Sequence, residues 1–170
     1  MERKNAWLSY GEADETAMEK LAKDYRAFLD AGKTERECVT ELVREAEVNG
    51  YVNLETKLAA GEKIQPGDKV YAVGMKKIMA LFHVGQEPLE KGMNILGAHI
   101  DSPRLDVKQN PLYEDTDLAY LDTHYYGGVK KYQWVAIPLA IHGVIVKKDG
   151  SIVDVVIGED ENDPIVYITD

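Results

Sequence analysis

The stretch Asn94-Ile95-Leu96-Gly97-Ala98-His99-Ile100-Asp101-Ser102-Pro103 constrains this chain more than any other. Its apolar start predicts a buried strand over residues 93–100, stopped by Ser-Pro. Side chains alternate along a strand, so His99 and Asp101 would share one face and Ile100 would take the other. A carboxylate near a neutral imidazole fixes its tautomer, which the ring needs before it donates a lone pair to a cation. The end of a strand is also where an α/β sheet presents its ligand-binding groups. Taken alone, three residues favour a plainer reading: a satisfied histidine beside a turn-capping aspartate.

Upstream of that stretch the pattern is helical. Met18, Leu21, Ala22, Tyr25, Phe28 and Leu29 recur at three- and four-residue steps, predicting an amphipathic helix over 13–31 with Gly32 as its C-cap. Thr34 with Glu37 three residues on is a capping box, and it opens a second helix with Val39, Leu42, Val43 and Ala46 as its apolar face. Cys38 lies near that face and reads as a small packing residue rather than a reactive thiol. Residues 54–67 are polar with scattered glycines, ending in the turn Pro66-Gly67-Asp68. Strands follow over 69–73 and 78–84, joined in hairpin fashion by Gly74-Met75-Lys76-Lys77.

Downstream the pattern is β. Residues 104–108 alternate polar and apolar, 117–126 are rich in Tyr, Leu and Thr, and Gly127-Gly128 breaks the run. The runs 137–147 and 152–157 flank Lys148-Asp149-Gly150-Ser151, and Asp-Gly between β-rich segments is a hairpin signal. One more strand begins at 165–168. The change of character suggests two structural units, divided somewhere between Asn110 and Asp122, the second with few layers over which to bury a core.

Composition excludes some function classes. A net charge of −10 opposes general nucleic-acid binding, which needs a positive surface. No apolar run reaches the length of a membrane span, and a single cysteine precludes an internal disulfide framework, so the cytoplasm is the expected compartment. The histidines His83, His99, His124 and His142 are spread out, with no local spacing that declares a metal site. Core, edge or surface roles are expected for His83, His124 and His142.

With these residues in view, the chain resembles the aspartyl aminopeptidase family of dinuclear zinc metallopeptidases. The family signature His-x-Asp-Ser-Pro matches His99-Ile100-Asp101-Ser102-Pro103, and its Leu-x-Val-Lys strand matches Leu105-Asp106-Val107-Lys108. Its Tyr-Gly-Gly and later tryptophan match Tyr126-Gly127-Gly128 and Trp134. Many members continue with Phe-Asp-Arg, whereas this chain has Val135-Ala136-Ile137-Pro138, the mark of a divergent, bacterial-type branch.

The resemblance implies the N-terminal portion of an α/β catalytic domain with a mixed sheet (1–112), followed by the start of an inserted β-rich dimerisation domain (113–170). It implies an aminopeptidase that removes N-terminal residues from peptides by zinc-activated water, with two zinc ions in the complete enzyme. His99 would be a metal ligand, and Asp101 the catalytic-site residue that orients it. The remaining ligands and the general base would lie beyond residue 170. Partners would be peptide substrates and further copies of the chain, in a dimer-based assembly up to a dodecamer, with neither nucleic acid nor membrane. A second class stays open: a non-catalytic fragment or assembly module, inactive by itself. A third is another metal hydrolase with the same strand-end histidine.

Overall fold

The structure, a computed structural model, describes residues 3–168. The chain divides into two compact units between Ile100 and Asp101.

In the first unit, helix α1 (Glu12–Ala31) forms where the periodicity predicts it. Asp14 accepts a hydrogen bond from the Gly11 amide at 3.0 Å, satisfying one of the orphan donors of the first turn. No residue of α1 is buried, however: Leu21 and Tyr25 are 70% and 59% exposed. The helix lies against α2 (Glu35–Val48), but the described residues provide no cover for most of its apolar stripe. The capping box is present as read: Thr34 Oγ1 accepts from the Glu37 amide at 3.3 Å, and Glu37 accepts from the Thr34 amide at 2.8 Å.

Gly32 is the C-cap of α1, but its φ of −107° lies outside the left-handed region. Space is what requires glycine here, because a Cβ would sit 2.8 Å from Cys38 Sγ.

Residues 54–67, polar with scattered glycines and given no helix by the sequence pattern, contain one. The two-residue strand β1 (Val52–Asn53) leads into α3 (Leu54–Ala59), whose first turn is capped by the Asn53 side chain accepting from the Glu55 and Thr56 amides. Strands β2 (Lys69–Gly74) and β3 (Ile78–His83) follow. The sheet is mixed, in the order β1-β2-β3, with β1 parallel and β3 antiparallel to β2.

Central strand β2 carries the core. Val70 and Tyr71 are adjacent and so point to opposite faces, yet both are buried, as are Cys38, Val39 and Ala46 of α2. Helices α2 and α3 both lie against β2. The Tyr71 hydroxyl donates to Glu47 Oε1 of α2 at 2.8 Å, tying helix to sheet.

The second unit is built of hairpins. Strand β4 (Arg104–Asp115) pairs antiparallel with β5 (Leu118–Tyr126), and β6 (Ile141–Val146) with β7 (Ile152–Ile157). The sequence boundary at 112/113 falls inside β4, which is continuous there. The β4–β5 register slips between Val107 and Leu112, where Pro111 has no amide proton to give to a ladder. The Asp149-Gly150 hairpin forms, with Gly150 at φ 84° and the Lys147 amide donating to the Ser151 carbonyl at 2.8 Å. A four-residue helix, α4 (Lys131–Trp134), lies between the hairpins. The strand expected at 165–168 is reduced to isolated bridges, Leu139 with Val166 and Val135 with Ile168; its continuation lies outside the described residues.

Candidate metal-ligand segment

Residues 93–103 join no strand ladder, contrary to the expectation of a buried strand. Met93, Ile95 and Leu96 are 64%, 80% and 99% exposed. A strand exists through hydrogen bonds to a neighbour, and among the described residues no chain lies beside this one to make them. The run is apolar, but the described residues do not bury it.

His99 is exposed near the end of the first unit. The carbonyl of the next residue, Ile100, lies 3.6 Å from Cys38 Sγ, whose single S–H proton is shared between it and the Gly32 carbonyl at 3.4 Å. Burial pushes the Cys38 thiol above its ordinary pKa, and the nearby Glu37 and Glu35 carboxylates add to the shift. Cys38 is therefore a protonated packing residue, as its place in the sequence suggested.

Asp101 opens the second unit, half-buried. Its Oδ2 accepts a 2.7 Å hydrogen bond from the hydroxyl of Tyr126, at the end of β5. The Arg104 guanidinium lies 4.4 Å from the centre of the Tyr126 ring, and Arg104 Nε donates to Asp106 Oδ1 at 2.7 Å. Next to the tyrosine, Gly127 adopts φ 76° and lies against Pro103: a Cβ there would meet the proline at 3.5 Å. The Asp-Ser-Pro and Tyr-Gly-Gly motifs, 25 residues apart, thus meet at the end of the β4–β5 hairpin.

Sequence reasoning gave Tyr126 no role and treated Arg104 only as a polar strand position. Register brings them together: Arg104 pairs with Tyr126, which returns the second motif to the first, and no local sequence signal announces that pairing. The other histidines sit as expected. His83 lies on edge strand β3, His124 is exposed on β5, and His142 faces Glu159, with Nε2 and Oε1 3.0 Å apart.

A zinc site takes three or more protein ligands. Among the described residues no group of three or more His, Cys, Asp or Glu side chains is placed to hold a metal. An exposed imidazole followed two residues later by an anchored carboxylate fits one ligand position of such a site, and no more.

Comparison with known proteins shows the family. Residues 28–170 match the family described as Aminopeptidase I zinc metalloprotease (M18). The chain belongs to the M18 family. Over 169 residues it is 60% identical to a probable M18 family aminopeptidase 1 of Clostridium acetobutylicum, a match covering 99% of this chain and 36% of that protein. The crystal structure of aminopeptidase I from Borrelia burgdorferi superimposes with a TM-score of 0.88 at 38% identity, covering 98% of this chain and 40% of that one. A more distant Saccharomyces cerevisiae structure, the mApe1 dodecamer, shares the fold with a TM-score of 0.72 at 19% identity, over 91% of this chain and 36% of that one. The M18 chain described here thus spans little more than a third of the length of the curated relatives it matches. None of its described helices is long and apolar enough to cross a membrane.

Proposed function

We propose that the chain is the N-terminal portion of a zinc-dependent aminopeptidase that removes N-terminal residues from peptides in the cytoplasm. In this reading His99 is one metal ligand and Asp101 orients its imidazole, while the other ligands of a two-ion site and the general base come from polypeptide beyond these residues. Residues 113–170 begin an inserted β-rich domain through which copies pair, in a dimer-based assembly that reaches a dodecamer. The observation that carries the proposal is the M18 match over 28–170, which contains the complete His99-Ile100-Asp101-Ser102-Pro103 motif.

The test is a His99→Ala substitution in a polypeptide of the relatives' full length carrying this sequence. Metal-dependent cleavage of an aminoacyl substrate is expected to disappear. Retained cleavage with unchanged metal content would remove His99 from the site.

A second reading concerns the 170 residues alone: a module that assembles but does not catalyse. The lack of a three-donor cluster among the described residues favours it for the isolated chain. The two readings are compatible, one for the whole protein and one for its part.

A further inference from the structure

We propose that Tyr126 is a positioning residue for the candidate metal centre, fixing the carboxylate of Asp101 through its hydroxyl. The inference rests on the reading that Asp101 supports His99. A carboxylate steadies an imidazole only if its own rotamer is settled, because Asp turns about two side-chain torsions and a mobile carboxylate spreads its hydrogen bonds over several directions. The 2.7 Å hydrogen bond from Tyr126 occupies Oδ2 with a neutral donor, which fixes the plane of the carboxylate.

Independent features hold the tyrosine in turn. The cross-strand pairing of Arg104 with Tyr126 sets the height of the ring on the hairpin. The Arg104 guanidinium packs over the ring face at 4.4 Å, and its Nε is itself held by Asp106. Immediately after the tyrosine, Gly127 takes a left-handed φ of 76° and brings the backbone against Pro103, two residues past Asp101. The Tyr-Gly-Gly motif therefore has a local task at the Asp-Ser-Pro segment, in addition to any part it plays in a dimerisation domain.

The experiment uses a polypeptide of the relatives' full length carrying this sequence, and reads zinc affinity by competition with a chromogenic chelator, alongside kcat and KM. Tyr126→Phe keeps the ring and its stack with Arg104 but removes the donor. It is expected to weaken zinc binding about 3- to 10-fold, the loss of one hydrogen bond, with KM unchanged. In an Asp101→Ala background the same substitution should change nothing further. Replacing Tyr126 with p-aminophenylalanine, which restores an N–H donor at the same place, should return wild-type affinity.

Unchanged zinc affinity in Tyr126→Phe, or an equal loss in the Asp101→Ala background, overturns the proposal. So does a p-aminophenylalanine variant as weak as phenylalanine. If the phenylalanine variant does not fold, O-methyltyrosine takes its place with the same expectations. Failure of the underlying reading is separately visible: His99→Ala or Asp101→Ala would then bind zinc as the wild type does.

Discussion

Tyr71 and Cys38 show how much of the first unit depends on single polar atoms placed in its small core. Tyr71 is 4% exposed, and its hydroxyl bond to Glu47 is the main cause, ahead of burial, of a pKa above the ordinary 10. Ionising it would set a phenolate against a carboxylate. The native state therefore holds this proton more tightly than the unfolded chain does. Its stabilising effect is complete below about pH 10, where the unfolded tyrosine is still protonated, and is lost as pH rises through the higher native value. Tyr71→Phe should cost about 1 kcal/mol at neutral pH and remove that part of the alkaline decline. Urea unfolding at pH 7 and above pH 10 measures both; an identical alkaline slope in the variant would mean that another group is responsible. Cys38 was legible in the sequence as a packing residue. Its donation to the Ile100 carbonyl was not, because that bond joins residues 62 positions apart.

At the scale of elements, local chemistry was readable and partnership was not. The Thr34–Glu37 box, the Asp149-Gly150 hairpin and the paired strands β2 and β3 follow from residue types within a few positions of each other. Helix α3 was missed because its signal is a lone Asn53 cap before a short polar helix, with too few turns for a periodicity to appear. The β2–β3 turn departs from the usual residues. Met75 and Lys76 both adopt positive φ, 49° and 56°, with the Lys77 amide donating to the Gly74 carbonyl at 3.0 Å. Turns of this form favour Asn-Gly, since other side chains crowd the backbone in the left-handed region. Met75→Asn with Lys76→Gly is accordingly expected to stabilise the protein by about 1 kcal/mol. Chemical denaturation of the double variant checks it, and a loss of stability would show that side-chain contacts of Met75 or Lys76 outweigh the backbone relief. Strand 93–100 failed for the complementary reason: an apolar run announces burial but cannot name the neighbour that supplies it.

For the whole molecule, the same limit governs function. The motif at residues 99–103 and the Tyr-Gly-Gly at 126–128 identified the family from the residues, and the match over 28–170 bears that out. The mixed α/β character of the first unit was legible too. The hydrogen bond by which Tyr126 reaches Asp101 was not, because it depends on the register of β4 against β5. Among the described residues the buried set is confined to α2 and β2, while Ile95 and Leu96 stand open a few residues before the candidate ligand. Both facts are consistent with a site that is finished by further polypeptide. Equilibrium dialysis against zinc, run in parallel on the 170-residue chain and on a polypeptide of the relatives' full length, tests this most directly. The account predicts stoichiometric, tight zinc on the longer protein and only weak, unsaturated binding on the shorter one. Tight stoichiometric zinc on the 170 residues alone would contradict it.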